Sequence, residues 1–403
     1  MVTTVTSYTD SRNRAGVGEG YDGVVRVSVA GYYGTGALIE GGRAVVTAAH
    51  LFKGNEVATV HFETVSGGQS LAASQVFVHP NYDAVNGNHD LAVVWLSAPA
   101  PVAAERYELY RKSDEIGQIA TLVGYGTPGS GAGGVLTNYS AGAYFRLKAN
   151  NRFDSEIGAL KGGLGAAMAW SPVAGTQLVA DFDDGTSGHD ALARLVGIAD
   201  LGLGTSEGLI APGDSGGPAL LGHQLAGIAS YSSALATSYA KPDIDGVGNS
   251  SYGEVAAWQR ISYYQQWIDQ TVRAADTAAP SKVSQVQKTV AEGAAGTLTR
   301  AYFLLEFTGT RSKSDQVLSV DYATRDGTAK AGSDYLAVSG TLKLYPGESQ
   351  AVIPVEIIGD NQAEVDETFY LDISNPVGGS FGDGVVKLTA MRTIVNDDGS
   401  LIG

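Results

Sequence analysis

The sequence predicts an all-β chain in two parts, a barrel-forming region followed by an antiparallel sandwich. Three observations carry this. Short runs of apolar and β-branched residues recur along the chain, with glycine or asparagine turns between most of them. Sustained helical periodicity is absent before residue 263. A small, polar stretch with one proline at 273–283 separates two regions of different character and reads as an interdomain linker. At 403 residues the chain is long for one domain and comfortable for two.

Residues 1–14 are polar and Thr/Ser-rich, with no apolar core of the kind a signal peptide carries. Strand-type alternation starts at 24–29, and strand runs follow at 36–39, 44–47, 57–62 and 75–78. That is the pattern of a first barrel. A second set of strands begins at 119–123 and extends at least to 177–180. The acidic stretch Asp181-Phe182-Asp183-Asp184-Gly185 reads as a turn, and 186–190 as a loop in which His189 is solvated. Strand patterns return at 224–231 and 255–261, before a helical pattern over 263–272. Beyond the linker, 317–322, 342–344 and 352–357 read as strands, with turns at Asp326-Gly327, Pro346-Gly347 and 359–361. Short strands at such spacing indicate an antiparallel sandwich.

Composition narrows the function. A formal charge of −16 and an isoelectric point near 4.7 argue against nucleic acid and anionic membrane surfaces as partners. The acidity suits a secreted or calcium-associated protein, and solubility alone would also produce it. No apolar run approaches the ~20 residues of a membrane span. The absence of cysteine excludes disulfides and thiol chemistry, so stability rests on packing, to which bound calcium would add.

The stretch Ala211-Pro212-Gly213-Asp214-Ser215-Gly216-Gly217-Pro218 holds one serine among three glycines and two prolines. Glycine-rich backbone turns sharply and lets a substrate approach closely. A serine presented this way needs a base to take its proton and an oxyanion hole to receive developing charge, for which the Gly213 and Ser215 N–H groups are the natural pair. A plain tight turn would use the same residues. What favours chemistry is a matching His50, at the end of an apolar run from Ala44, and a matching Asp90, opening another after Asn86-Gly87-Asn88-His89. A neighbouring base activates the weak serine nucleophile, and a buried carboxylate fixes the imidazole tautomer. His61, His79, His89 and His223 have no such setting and read as ordinary strand or loop positions.

With His50, Asp90 and Ser215 in that order, the segments TAAH, HDLAVVWL and GDSGGP resemble the catalytic signatures of the trypsin-like (chymotrypsin-fold) serine proteases. Gly124-Tyr125-Gly126 and 78–82 match two further landmarks, and the resemblance covers about 15–272, weakest between 127 and 200. It implies a two-barrel protease domain over 15–272, with inserted loops in 127–205, that is secreted and hydrolyses protein or peptide substrates through an acyl-enzyme without a catalytic cofactor. Ser215 would be the nucleophile, His50 the general base and then acid, and Asp90 the orienting carboxylate. Asp214 either caps its turn or, as in the family, pairs with a new N-terminal ammonium after zymogen cleavage. Cleavage after Arg14 would release Ala15, and two further residues of trimming Val17, with 1–14 a propeptide; the family's usual Ile-Val-Gly-Gly is missing. The floor of the primary pocket falls six residues before the nucleophile at Leu209, followed by Ile210, with walls from Ser230, Tyr231 and Ser232 and, opposite, from Ala256. Without a carboxylate at the floor, cleavage is expected after small or medium apolar residues and not after Arg or Lys.

In the second region DGTAKAGSDY, GTLKLYPGE, DETF and TIVNDD, over about 284–398, resemble the Calx-beta domain, an immunoglobulin-like module that often binds calcium. The resemblance implies Ca2+ ligands among Glu292, Asp334, Asp360, Glu364, Glu367, Asp397 and Asp398, because calcium takes carboxylate and carbonyl oxygens. Solvated loop charges on an acidic sandwich would look the same. Gly359 and Asn361 beside Asp360, and Asn396 before Asp397, point to one or two ions rather than a full cluster. Two readings stand: a secreted, calcium-associated endopeptidase, and an adhesion or matrix-binding protein whose protease domain is silent. The sequence leaves the oligomeric state open.

Overall fold

In the computed structural model, which describes residues 2–54, 56–137, 139 and 144–398, the chain forms two compact units. One runs to residue 271 without 40–42, and the other takes 40–42 with the chain from 272 onward. The first barrel is closed by Val24–Val29, Tyr32–Leu38, Ala44–Thr47, Ala58–Thr64, Gly67–Val78 and Ala92–Leu96. Alternation puts Val25, Val27, Val60, Phe62, Val94 and Leu96 inside. Each such side chain contributes about 1.5–3 kcal/mol when fully buried. Strand Gly67–Val78 starts eight residues before the predicted 75–78, because its polar opening, Gly67-Gly68-Gln69-Ser70, is exposed and held by pairing to 61–64 alone.

The second barrel runs in neighbour order Leu147–Arg152, Ile119–Gly124, Pro218–Leu221, Gln224–Ser233, Val255–Arg260, Gln177–Asp181 and Ser155–Glu156. Its first and last strands are consecutive pieces of one segment bent at Phe153-Asp154, so the sheet returns on itself. Buried Asn151 spans the interior there, donating to the Asp181 and Gly208 carbonyls at 2.7 and 2.9 Å. Trp258 and Phe153 meet edge to face at the centre of the core. This is the all-β, two-barrel architecture of the chymotrypsin-like proteases.

Three features differ from expectation. Residues 2–4 do not stand apart: Val2 is in the second barrel's core, and Thr3–Thr4 pairs with both Gly129–Ser130 and Gly208–Leu209. The 127–205 region is not loop alone. It holds helices Ile157–Leu164 and Ala191–Val196, capped by Glu156 and Asp190, which pack through Leu160, Leu164, Leu192 and Leu195. Three glycines in the first of them depress its intrinsic propensity, and packing overrides this. The terminal helix, Ile261–Ala275, runs into the expected linker, with Ile261, Tyr264 and Ile268 buried along one side.

The second unit is a sandwich. Five strands, in neighbour order Thr289–Ala291, Lys387–Val395, Glu367–Val377, Leu318–Asp326 and Ser339–Leu344, form one sheet, and Leu298–Glu306 pairs with Gln350–Ile358 in the other. Their inner faces bury Phe303, Val320, Leu342, Ile353, Val355, Phe369 and Leu371. Tyr335 stacks on Phe369 at 4.7 Å and donates its hydroxyl to Asp326 at 2.6 Å.

Candidate active site

Strands Ala44–Thr47 and Ala92–Leu96 are antiparallel neighbours, with Thr47 opposite Ala92. The chain just past the first therefore meets the chain just before the second. A short 3-10 turn, Ala49–Leu51, carries His50 there. Its backbone N–H donates to Asp90 Oδ1 at 2.8 Å and its Nδ1 to Asp90 Oδ2 at 2.7 Å. Donation from Nδ1 leaves the Nε2 lone pair outward, the tautomer a general base needs. The sequence gives no sign of a third donor. Ser230 is the extra residue of a β-bulge between Ala229 and Tyr231, and the bulge aims its hydroxyl at Asp90 Oδ2, 2.5 Å away. Ser230, expected on the pocket wall, thus spends its side chain on Asp90.

The nucleophile loop is seated by backbone contacts. Thr35 N–H donates to the Ser215 carbonyl at 2.8 Å and Thr35 Oγ1 to the Gly213 carbonyl at 2.9 Å. Gly216 has φ +83°, and a Cβ there would lie 2.0 Å from Thr47 Oγ1 and 2.8 Å from Ala48 N, so only glycine lets the loop press on the strand leading to His50. Gly213 also takes a positive φ, +96°. Among the described residues, the Gly213 and Ser215 N–H groups have no intramolecular acceptor, and no hydrogen bond joins the Ser215 hydroxyl to His50.

Asp214 explains the Gly124-Tyr125-Gly126 landmark. Its buried carboxylate takes N–H groups from Gly126 and Ala211 at 2.9 Å each, and a Cβ on Gly124 would sit 2.1 Å from Asp214 Oδ1. Burial pushes the Asp214 carboxyl up. Ala15, the expected new N-terminus, is instead tied into the chain: its N–H donates to the Arg146 carbonyl at 3.0 Å. Arg146 in turn forms a buried ion pair with Asp22 at 2.5 Å.

Leu209 and Ile210 are buried in one core cluster with Ala229 and Ala256, and Ser232 lies opposite Ala256 in the sheet. Tyr231 donates its hydroxyl to Gln177 Oε1 at 2.8 Å and accepts from Trp170 Nε1 at 3.1 Å, a contact with no sequence signal. Three other histidines make structural contacts. His61 bridges Ser28 and Ser70, while His79 and His89 stack at 4.9 Å beside Tyr264 and Trp267. His189 is not simply solvated, since its Nδ1 meets Asp184 at 2.6 Å.

In the sandwich unit the predicted acidic residues form two groups, Glu292 with Asp397 and Asp398, and Asp334 with Glu364 and Glu367. Asp360 belongs to neither: its backbone N–H donates to Glu292 Oε1 and its carboxylate caps Gln362. Burial, then the hydrogen bond to Asp334, pushes Glu367 up to about 7, and burial also raises Glu292 and Glu364. Among the described residues, Asp398 Oδ2 is buried without a hydrogen-bond partner. An all-oxygen set with an unanswered carboxylate oxygen fits a hard cation such as Ca2+.

Comparison with known proteins agrees with both units. Residues 15–157 match the family model described as Trypsin, and residues 299–398 match that of the Calx-beta domain. Human sodium/calcium exchanger 2 is 39% identical over 108 residues, 24% of this chain and 12% of the exchanger. The Drosophila melanogaster sodium/calcium exchanger Calx is 39% identical over 83 residues, 20% of this chain and 8% of that protein. The chain thus spans a small part of these relatives' length. The solved structure of mouse neuropsin, a serine protease expressed in the limbic system of the brain, is similar at 19% identity and a TM-score of 0.46, covering 64% of this chain and 98% of that one. The chain carries a trypsin-like serine protease domain followed by a Calx-beta domain.

Proposed function

We propose that the protein is a serine endopeptidase whose Calx-beta domain binds calcium. The observation that carries the catalytic reading is the His50–Asp90 pair, in the tautomer of a general base, beside a nucleophile loop with two N–H groups free to receive charge. Ser215 Oγ attacks the scissile carbonyl carbon while His50 Nε2 takes the hydroxyl proton. The carbonyl oxygen becomes an oxyanion facing the Gly213 and Ser215 N–H groups. Collapse breaks the C–N bond, and His50 returns its proton to the departing amine. Water, activated by the same imidazole, then releases the acyl group and regenerates Ser215. Asp90, held by Ser230, stabilises the imidazolium.

Cleavage after small or medium apolar residues rests on Leu209 at the pocket floor. An acidic residue reaching the pocket would reverse this; two acids near the pocket segments in sequence are engaged elsewhere: Glu207 accepts the Asp183 and Leu203 N–H groups, and Asp245 those of Val247 and the Asn249 amide. A peptide panel varied before the scissile bond tests it, with dominant cleavage after Arg or Lys counting against the assignment. Calcium binding rests on the two acidic groups of the sandwich, with Glu292, Asp334, Glu364, Glu367, Asp397 and Asp398 as ligands.

The missing Ser215–His50 hydrogen bond favours a second reading, a catalytically silent adhesion or matrix-binding protein. A serine-directed fluorophosphonate separates the two. Labelling of the full chain at Ser215, absent in Ser215→Ala, is the expected result, and labelling no greater than in that variant supports the silent reading.

A further inference from the structure

A third group of acids lies in the stretch of chain between Asp90 and Ser215. Asp181, Asp183 and Asp190 are each only 1–2% exposed, and one carboxylate oxygen of each lies within 4.8 Å of the others. Their placement follows from the chain. Asp181 ends strand Gln177–Asp181, and Asp183, two residues on, falls on the same side while Phe182 between them enters the core. Asp190 caps helix Ala191–Val196 by accepting the Ala193 N–H at 2.8 Å, and Asp181 Oδ2 accepts the Leu192 N–H at 2.7 Å.

Three buried carboxylates need either protons or a cation, since isolated buried charge is too costly to persist. A shared proton joins two carboxylates by a short hydrogen bond of about 2.5–2.7 Å. Among the described residues no hydrogen bond links any two of the three. Asp183 decides the matter: its Oδ1 is buried and, among the described residues, has no hydrogen-bond partner, and its carboxylate belongs to the group. Basic groups of the neighbouring segments are occupied, Arg152 with Asp200 at 2.9 Å, His189 with Asp184 at 2.6 Å and Arg194 with the Gly188 carbonyl at 2.7 Å.

We propose that Asp181, Asp183 and Asp190 bind a divalent cation within the protease unit, Ca2+ by the hardness of an all-oxygen donor set. The cation has a route to the active site. The Asp183 N–H donates to Glu207 Oε1 at 2.8 Å, and Glu207 leads directly into Gly208–Leu209 and the segment that carries Ser215. Gly202 closes the group from above, because any Cβ there would meet Glu207 Oε2 and Asp183 Cβ. Holding 181–190 against 202–209 is the cation's role, and it is separate from the acids of the sandwich.

Equilibrium dialysis of the decalcified full chain against 45Ca2+ tests this. The expected result is one bound ion fewer in Asp183→Asn than in wild type, with Glu367→Gln retaining the ion that Asp183→Asn loses. Hydrogen exchange supplies a second readout: calcium should slow exchange in peptides covering 181–209 about tenfold in wild type and Glu367→Gln, and not in Asp183→Asn. Unchanged stoichiometry in Asp183→Asn, or calcium-insensitive exchange over 181–209 in wild type, overturns the proposal in favour of protonated acids. The wild-type exchange comparison decides it even where the variant fails to fold.

Discussion

Asp90 and Asp183 are buried alike, at 3% and 2% exposure, yet their surroundings are opposite. Both oxygens of Asp90 are answered, one by the His50 N–H and one by the His50 ring and the Ser230 hydroxyl. Asp214 is held in the same manner by Gly126 and Ala211. Asp183 Oδ1 is answered by nothing among the described residues. A carboxylate ringed by donors can orient an imidazole, whereas one packed among other acids needs a proton or a cation to offset its charge. Burial alone does not distinguish the two; the donors around each do.

The most severe way to test the answered side is to remove what Asp90 serves. Ser215→Ala and His50→Ala should each lower turnover by about 10⁴–10⁶ while leaving the unfolding transition in place. Asp90→Asn should cost about 10⁴ through the wrong imidazole tautomer. Near-normal peptidase activity in any of these would mean that the His50–Asp90 contact is structural only.

The acids of the sandwich lie between the two cases, partly exposed and partly answered. Calcium at a hundredfold excess over its Kd should stabilise that unit by about 2.7 kcal/mol, because it binds the folded form alone. Hydrogen exchange in peptides covering 292 and 360–367 of the full chain measures it. Identical exchange in calcium and in chelator would leave Glu292, Asp334 and Glu367 as surface charge.

Crowding an answered carboxylate is a milder perturbation. Gly124→Ala places a methyl against Asp214 Oδ1, and should cost about 1–3 kcal/mol in urea unfolding together with a loss of activity. A variant as stable and as active as wild type would show that the seat of Asp214 has slack.

The smallest effect concerns a half-buried base. Burial, with the charge of His89 beside it, pushes His79 down to about 4, and Tyr264 and Trp267 complete its surroundings. The unfolded chain then binds the extra proton first, so the stability from neutral His79 is present above about pH 6.5 and is lost as pH falls toward 4. Solvent reaches part of the ring, so the loss should be roughly 1 kcal/mol. His79→Phe should remove that part of the slope between pH 7 and 5, and an unchanged slope would assign the acid sensitivity to other groups.

The sequence by itself determined what depends on local pattern: the alternating strands of the first barrel, the two-unit division, and the three motifs that place His50, Asp90 and Ser215 at strand ends and in a glycine loop. These were legible because period-two burial and glycine's positive φ leave marks in consecutive residues. Only the tertiary structure decided the rest. Strand Gly67–Val78 begins in exposed polar residues, and helix Ile157–Leu164 contains three glycines, so each owes its existence to neighbours distant in sequence. Ser230 reaches Asp90 through a bulge defined against Trp258 and Ala257, across 140 residues of chain. The acidic turn 181–184 becomes a buried group when Asp190 and Glu207 fold over it, because charge in a loop is solvated until packing removes the water.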